Sequence, residues 1–476
     1  MNLNQTLQEK YPHLEVSVLK LSEVKKNIDF RIDDSFWTMK LIYNNKLNYK
    51  KIGECLLKSQ YGISINMNEG GDGIPIYRMN DIDNMLCNFE VKKYALIDKN
   101  ELQTFRLNYG DVLFNRTNSY EFVGRTGIFY NNRENFVFAS YLVRLVCNKE
   151  ILLPEYLTVF LNTHIGKKEI RRRARPSINQ TNVNPEELKE IKIPIFPMEF
   201  QLEIQNLVKD SHKALEESKE LYKKAEETLY LELGLDSKNP LQSLLDSKTN
   251  NPTKSLNISI HTLKESFLKT GRLDSEYYQS KYEDIEKFIK SYPNGYDSFS
   301  NIINNKDTNF TPKNNENYSY IELANIGNNG NISEPISDLG KNLPTRARRI
   351  VSKGDVIISS IEGSLSSCAL ITQEFDKHLV STGFFVLNSK LLNGETLLVM
   401  FKSQIFQEYL KKFPSGTILC AINKEELSKI LIPKIDSTTQ EKIAKYIQES
   451  FNLRKKSKQL LDNAKNKVEE QIQGKI

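Results

Sequence analysis

Two stretches of the chain share one arrangement of apolar and polar positions. Each begins with an alternating Ile-x-Ile-Pro run and continues into a long charged segment with helical periodicity. Pro194 and Pro433 close the two runs and are 239 positions apart, and the same spacing separates Gln201 from Gln440. A repeat of this length predicts two similar halves, each of which passes from a short strand into a long helix.

The similarity of the halves begins well before these helices. Arg31 and Asp33 in the first half correspond to Arg272 and Asp274 in the second half, at a spacing of 241. The repeat therefore includes the start of each half as well as its end.

Between start and end, each half consists of short β-rich runs broken by Gly, Pro and Asn. A Gly-Asp pair, which predicts a turn that leads into a buried strand, recurs at Gly110 and Gly354 with a spacing of 244. Because the spacing changes from 241 to 244 and then to 239, the insertions and deletions fall in the middle of each half. Loops tolerate such insertions and deletions, so the pattern predicts two recognition domains that share one structural framework and differ in their loops.

The two helices carry apolar seams with steps of three and four residues, which is the pattern of a coiled coil. We expect them to pair antiparallel, as a rod of about 35 residues and roughly 50 Å. The alternative is that each helix packs on its own domain. Residues Arg454, Lys455 and Lys456 are predicted to lie on an exposed basic side of the second helix. The predicted pairing residues are Ile204, Val208, Leu215, Tyr222 and Leu229 in the first helix, and Ile443, Ile447, Phe451, Leu461 and Val468 in the second.

These elements together predict an α+β protein. Two tandem α/β domains are separated and followed by long helices that pair as an antiparallel coiled coil with pseudo-twofold symmetry. The predicted order is an N-terminal arm (1–14), a first domain (15–197), a central helix (198–235), a linker (236–255), a second domain (256–435) and a C-terminal helix (436–476).

Composition places the chain among ordinary globular proteins. It has 476 residues, enough for two or three domains, with 39% hydrophobic and 26% charged residues. No apolar run is long enough for a membrane span and no secretory signal is evident, so we expect a cytoplasmic protein that does not bind a membrane. The five cysteines form no CxxC pair, which favours reduced thiols over a disulfide frame or a zinc site.

Motifs of enzymes are missing from the sequence. No GxxxxGK[ST] run, no HExxH run and no Asn-Pro-Pro-aromatic run is present, and the five histidines are scattered. The Gly-rich run at residues 70–73 is followed by no helical pattern and is interpreted as a turn. We therefore expect no catalytic residue, no metal and no cofactor in this chain.

Clusters of basic residues are more informative than the net charge of +6. Arginine can bind phosphates or the edge of guanine, and Asn and Gln can bind adenine, so these clusters favour nucleic acid over a solvated surface. The predicted DNA-binding residues are Asn115, Arg116, Asn118, Arg125, Lys167, Lys168, Arg171, Arg172, Arg173, Arg175, Asn179 and Gln180 in the first half, and Lys341, Arg346, Arg348 and Arg349 in the second.

On these features the chain resembles the DNA-specificity subunit of type I restriction-modification systems. The doubled layout, the Gly-Asp turns, the Ile-x-Ile-Pro ends with Gln201 and Gln440, and the two long helices carry the resemblance. It implies two target recognition domains that read the halves of a split double-stranded DNA site. It also implies that the helical spacers dock two methyltransferase subunits, and that a restriction and translocase subunit joins the complex. S-adenosylmethionine and catalysis would then belong to those partners.

Three other interpretations stay open from the sequence. The chain could be a stand-alone DNA-binding regulator without a methyltransferase partner. It could be a scaffold whose helices form a larger coiled coil, or a degenerate enzyme, which the missing motifs disfavour.

Overall fold

The computed structural model describes residues 3–14, 16, 18–39, 41, 43–131, 135–178, 180–246, 260–416 and 419–474. The chain divides into two compact units, residues 1–215 with 455–476, and residues 216–454. Both long helices therefore contribute a segment to each unit. The predicted linker beyond residue 246 and the predicted start of the second domain at 256–259 lie outside the described residues. The predicted domain limits stay predictions.

The first unit combines short helices with mainly antiparallel strands. Its helices are α1 (Leu3–Lys10), α2 (Leu21–Val24), α3 (Asp34–Thr38), α4 (Lys99–Phe105), α5 (Pro154–Asn162), α6 (His164–Arg173), α7 (Pro185–Lys189) and the first part of α8 (Met198–Glu232). Its strands are β1 (Tyr49–Lys51), β2 (Leu56–Tyr61), β3 (Ile74–Tyr77), β4 (Ile82–Asp83), β5 (Leu86–Cys87), β6 (Tyr94–Ala95), β7 (Val112–Asn115), β8 (Thr117–Asn118), β9 (Thr126–Ile128), β10 (Val137–Phe138), β11 (Leu142–Cys147), β12 (Arg175–Ser177), β13 (Gln180–Asn182) and β14 (Lys192–Pro194). Turns of 3-10 helix lie at Ile52–Cys55 and Met79–Asp81.

A six-stranded sheet forms the centre of this unit, in the order β2-β11-β7-β9-β5-β4. Strand β7 is buried along its whole length, and the predicted Gly-Asp turn leads into it. Gly110 has φ +90° there, a conformation that favours glycine, and the Asp111 carboxylate accepts a hydrogen bond from the Asn108 amide at 2.8 Å. Smaller sheets have the orders β10-β3-β6, β12-β13-β8 and β1-β14.

The second unit contains α9 (Pro240–Asp246), α10 (Phe267–Thr270), α11 (Ser280–Lys290), α12 (Phe299–Ile302), α13 (Gly394–Lys402), α14 (Gln404–Leu410), α15 (Lys424–Ser428) and the first part of α16 (Ser437–Gln473). Its strands are β15 (Tyr296–Ser298), β16 (Ile303–Asn305), β17 (Asn317–Ile321), β18 (Ile336–Leu339), β19 (Ala347–Ile350), β20 (Val356–Ser359), β21 (Cys368–Leu370), β22 (Leu379–Ser381), β23 (Phe384–Ser389) and β24 (Leu431–Pro433). Turns of 3-10 helix lie at Leu323–Asn325, Gly340–Asn342, Glu362–Ser364 and Gln373–Phe375. The sheets have the orders β16-β23-β20-β21, β18-β17-β22-β19 and β15-β24.

The Ile-x-Ile-Pro run is a strand in each unit, and a buried glutamine follows it. In the first unit the Gln201 carboxamide oxygen accepts from the Leu153 amide at 2.9 Å, and its nitrogen donates to the Ile151 and Phe196 carbonyls at 3.1 and 3.0 Å. Gln201 is only 1% exposed. The glutamine therefore ties the start of α8 to the loop before α5.

Gln440 makes the matching contacts in the second unit. Its carboxamide oxygen accepts from the Asn393 amide at 2.9 Å, and its nitrogen donates to the Leu391 and Ile435 carbonyls at 3.0 Å each. The repeat that the sequence shows at these two glutamines is thus a repeat of hydrogen bonds.

The long helices α8 and α16 pack against each other antiparallel in both units. In the first unit Ser211 hydrogen-bonds Ser457 at 2.8 Å, and in the second Ser218 hydrogen-bonds Ser450 at 3.0 Å. The buried seam residues that share apolar clusters are Ile204, Val208, Leu461 and Val468 in the first unit and Tyr222, Leu229, Ile443 and Ile447 in the second. Leu215 and Phe451 pack at the edges of these clusters, partly buried. The predicted α+β fold with two domains and paired helices is confirmed.

The prediction that Arg454 lies on an exposed basic side is wrong. Its Nε donates to the Ser218 hydroxyl at 3.0 Å and its Nη1 to the Asn331 side chain at 3.4 Å. Burial at the helix seam lowers the pKa of the guanidinium.

Among the described residues, no helix has the length and apolar character that crossing a membrane requires.

Candidate nucleic-acid interface

A short hairpin projects from the first domain where the sequence predicts DNA contacts. Strands β12 and β13 pair antiparallel, with Arg175 opposite Asn182, and β13 pairs with β8, with Thr181 opposite Asn118. Ile178 lies in the turn between the two strands and is 96% exposed. The three-stranded sheet therefore brings the predicted residues Asn118, Arg175 and Gln180 onto one small element.

The repeated Arg-x-Asp pair holds the base of this hairpin. The Arg31 guanidinium donates to both oxygens of Asp33 at 2.7 and 2.6 Å. Its Nη1 also donates to the Arg173 carbonyl at 2.8 Å, and its Nη2 to the Ala174 carbonyl at 3.5 Å. Because Ala174 directly precedes β12, Arg31 fixes the point from which the hairpin leaves the domain.

Three of the predicted arginines of the first domain lie over aromatic rings at the surface. These pairs are Arg116 over Tyr61 at 5.1 Å, Arg125 over Phe122 at 4.1 Å, and Arg171 over Tyr120 at 5.7 Å, each to the ring centroid. All three rings are exposed. A stacked guanidinium is held in place while its unused N–H groups stay available to an acceptor, and exposed rings can also stack on bases. In Arg116 the Nε group is already used, since it donates to the Ser140 carbonyl at 3.2 Å.

Positive charge is concentrated around Lys167 on α6. Burial lowers the pKa of Lys167, and the nearby cations Lys465, Arg171 and Arg125 lower it further, while Glu469 opposes them. Mutual repulsion of this kind is relieved when a polyanion binds. Lys168, the next residue of α6, is half-buried.

Three of the predicted residues point into the domain. Asn115 is fully buried, and its side-chain oxygen accepts from the Thr117 amide at 3.3 Å. Arg172 donates to the Phe36 carbonyl at 2.6 Å, and burial lowers its pKa. Arg173 is buried and forms an ion pair with Glu169. In this structure these side chains support the frame beneath the exposed arginines.

Three of the predicted residues of the second domain lie on or next to β19, and the fourth, Lys341, lies in the 3-10 turn after β18. Lys341, Arg346 and Arg348 are exposed. Arg348 donates to the Thr345 carbonyl at 2.8 Å, whereas Arg349 is half-buried, donates to the Phe384 carbonyl at 2.5 Å, and has its pKa lowered by burial. The second domain thus offers fewer stacked arginines than the first.

The two domains share the backbone that surrounds these side chains. In the first, the Val183 amide donates to the Arg116 carbonyl at 2.9 Å, and in the second the Ile422 amide donates to the Ser360 carbonyl at 2.8 Å. Arg116 and Ser360 are also 244 positions apart, the spacing of the Gly-Asp turns. The same backbone arrangement therefore carries an arginine side chain in the first domain and a serine side chain in the second.

Comparison with known proteins identifies the relationship. Residues 64–227 match the family described as the type I restriction modification DNA specificity domain. A protein described as the MjaX specificity subunit of a type I restriction enzyme, from Methanocaldococcus jannaschii, is 22% identical over 415 residues, which are 86% of this chain and 88% of that protein. The chain is therefore similar to type I specificity subunits over most of its length.

Two further specificity subunits are similar to this chain over a shorter stretch or at lower identity. The EcoKI specificity subunit of Escherichia coli K12 is 27% identical over 161 residues, 33% of this chain and 34% of that protein. The crystal structure of the S subunit from M. genitalium is 14% identical, covers 90% of this chain and 96% of its own, and has a TM-score of 0.43. The resemblance to type I specificity subunits that the sequence shows is confirmed.

Sequence reasoning missed the groups that position the arginines. Tyr61, Tyr120 and Phe122 were not predicted as site residues, although two of them lie within six positions of a predicted arginine. Arg31 and Arg272 were read as a repeat and not as hydrogen-bonding groups; their spacing of two residues from an aspartate in both halves was the available signal. The predicted residue Asn179 lies outside the described residues.

Proposed function

We propose that this chain is the non-catalytic sequence-recognition subunit of a type I restriction-modification complex. It binds a bipartite double-stranded DNA site and positions adenine methyltransferase and restriction subunits on that site. The observation that carries the proposal is the surface of the first domain, where Arg116, Arg125 and Arg171 stack on exposed aromatic rings beside a projecting hairpin.

The chemistry of this surface divides into two tasks. Exposed lysines and arginines such as Lys167 and Arg171 bind phosphates and supply affinity and register, which carry no sequence information. Residues on the hairpin and its neighbouring strand, such as Asn118 and Gln180, can hydrogen-bond base edges and discriminate between bases. The matched positions Arg116 and Ser360 differ, so the two domains would read different sequences.

The partners and the cofactor follow from the same proposal. Two methyltransferase subunits would dock on the spacer helices, and a restriction and translocase subunit would join them. S-adenosylmethionine would bind the methyltransferase and not this chain, and the complex would act in the cytoplasm. The MjaX and EcoKI proteins are described as specificity subunits of restriction enzymes, which supports this division of labour.

Genome-wide methylation mapping tests the proposal. We expect cells that express this chain together with its neighbouring methyltransferase to carry methyladenine in one split motif, and cells that express either protein alone to lack it. A chain that binds a specific duplex but yields no methylation and does not copurify with the methyltransferase would be a stand-alone regulator. If the chain binds no DNA at all, both the proposed function and the alternative of a stand-alone regulator are contradicted.

Salt dependence provides a second, independent prediction. If Lys167 and Arg171 bind phosphates, the double substitution to alanine is expected to reduce the slope of log affinity against log salt by about 1.8, since each lost contact removes about 0.9. The slope is measured by fluorescence anisotropy with a labelled duplex between low and physiological salt.

The matched control for this measurement is Lys223→Ala. Lys223 is an exposed lysine of α8 that pairs with Glu227 at 3.8 Å, so its removal should leave the slope unchanged. Equal slopes for the control and the double variant would show that the α6 cations do not contact phosphate.

A further inference from the structure

Ile178 is an apolar side chain in an unusual place. It lies in the turn of a short hairpin and is 96% exposed, whereas the exposed leucines Leu57 and Leu96 of the same domain are 70% and 72% exposed. Its neighbours along the hairpin, Ser177 and Gln180, are polar and exposed. The isolated protein therefore leaves this side chain in water, and a binding partner could bury it.

Contacts with the rest of the domain hold the base of this hairpin in place. Strand β8 pairs along one side of it, and Arg31 holds the carbonyl of Ala174 at its base. Arg175 forms an ion pair with Asp29, and the Asn184 amide donates to the same carboxylate at 3.0 Å. A hairpin whose base is already held in the free protein loses less conformational freedom when its tip enters a partner.

The surroundings of the hairpin are complementary to a polyanion. Arg116 directly precedes β8, which pairs with the hairpin, and Arg171 lies on α6, which leads into it; both guanidiniums are stacked on aromatic rings. Arg125 is also stacked on a ring, and Lys167 is close to Arg125 and Arg171. A single apolar tip inside a basic rim does not match an apolar protein patch. It matches duplex DNA, in which phosphates flank a groove and the space between base pairs is apolar.

We propose that Ile178 acts as a wedge, entering a groove of the duplex and separating one base step in the part of the site that the first domain reads. The proposal rests on the proposed function, since it assumes that this surface binds DNA. It adds a mode of recognition, because steps that unstack easily, such as pyrimidine–purine steps, would be favoured at that position without a hydrogen bond to any base.

The second domain has an apolar side chain at the corresponding place. Arg272 pairs with Asp274 and donates to the Pro414 carbonyl at 2.7 Å, as Arg31 does at the base of the first hairpin. Ser415 and Ala421 then pair as a bridge, and between them Leu419 is 62% exposed. Residues 417 and 418 lie outside the described residues.

The test uses the full-length chain co-expressed with its neighbouring methyltransferase. A pool of 40-base-pair duplexes with a random core is bound and sequenced to define the preferred site, and 2-aminopurine is then placed at successive positions of that site. We expect its fluorescence to rise at one step of the first half-site, as the base unstacks. Ile178→Ser should abolish the fluorescence rise and weaken DNA binding about tenfold. Ile178→Leu should keep the fluorescence rise and the affinity of the parent chain.

Leu57→Ser is the matched control, because it makes the same kind of change at an exposed leucine on β2. It should leave fluorescence and affinity unchanged. A fluorescence rise that persists in Ile178→Ser, or an affinity within twofold of the parent, would overturn the wedge while the proposed function stands. The same holds if Ile178→Ser binds DNA normally but loses the methyltransferase, since the tip would then bind protein. Failure of the parent chain to bind any duplex would instead refute the proposed function, and the wedge with it.

Discussion

Replacing Arg173 by alanine is expected to lower the free energy of unfolding of the first unit by about 3–5 kcal/mol. Arg173 is 6% exposed, and its guanidinium lies between the carboxylates of Glu169 and Glu187, which are 0% and 1% exposed. The substitution would leave the buried Glu169 carboxylate without its cation, and Glu187 with only the Arg175 guanidinium at 4.0 Å. Water cannot reach these buried carboxylates to compensate. Urea unfolding followed by the fluorescence of Trp37, the only tryptophan of the chain, reports on this unit.

Arg171→Ala is the control, because it removes an arginine from the same helix. Arg171 is exposed, so we expect its removal to change the free energy of unfolding by less than about 0.5 kcal/mol while it weakens DNA binding. The two variants together separate a structural arginine from a surface arginine. Similar small losses of stability in both would show that the buried ion pair of Arg173 does not stabilise the domain.

Replacing Gln201 or Gln440 by alanine is expected to destabilise the corresponding unit by about 3 kcal/mol. Each glutamine makes three hydrogen bonds with backbone groups, and a buried group left without a partner costs about 1–3 kcal/mol. Hydrogen exchange followed by mass spectrometry should show faster exchange of the Leu153 amide in one variant and of the Asn393 amide in the other.

The control for the glutamines is Gln448→Ala. Gln448 makes an exposed hydrogen bond of 2.7 Å with Glu395, so its loss should be close to neutral. Because Gln201 and Gln440 share no partners, their effects should add in the double variant. Protection that is unchanged in Gln201→Ala would show that the repeated glutamine is not a structural contact.

The frame of each half was predictable from the sequence because its signals are local and occur twice. The Ile-x-Ile-Pro run predicts a strand, and it is β14 in one half and β24 in the other. Its pairing partner, Tyr49 to Lys51 or Tyr296 to Ser298, was not predictable, since these residues are more than a hundred positions away and carry no repeated motif. Long-range pairing leaves no periodicity in a single sequence.

The directions of single side chains were harder to predict than the elements. Residues 171 to 173 are three consecutive arginines on α6, so they must face different directions, and the sequence does not say which of them is buried. Glu169 and Arg173 are four positions apart on one helix face, which was a usable signal for an ion pair. Arg454 was assigned to the exposed side together with the neighbouring lysines, but its guanidinium instead donates to Ser218 at the helix seam.

Arg116 and Ser360 accept equivalent backbone hydrogen bonds in their two domains, and this equivalence bears on how such a protein can evolve. These bonds use only main-chain atoms, and the buried glutamines and the Arg-x-Asp pairs hold the frame independently of the side chains at these two positions. Substitutions there can therefore accumulate with little loss of stability. Descendants of one ancestral chain could acquire new target preferences one residue at a time, without passing through an unfolded intermediate.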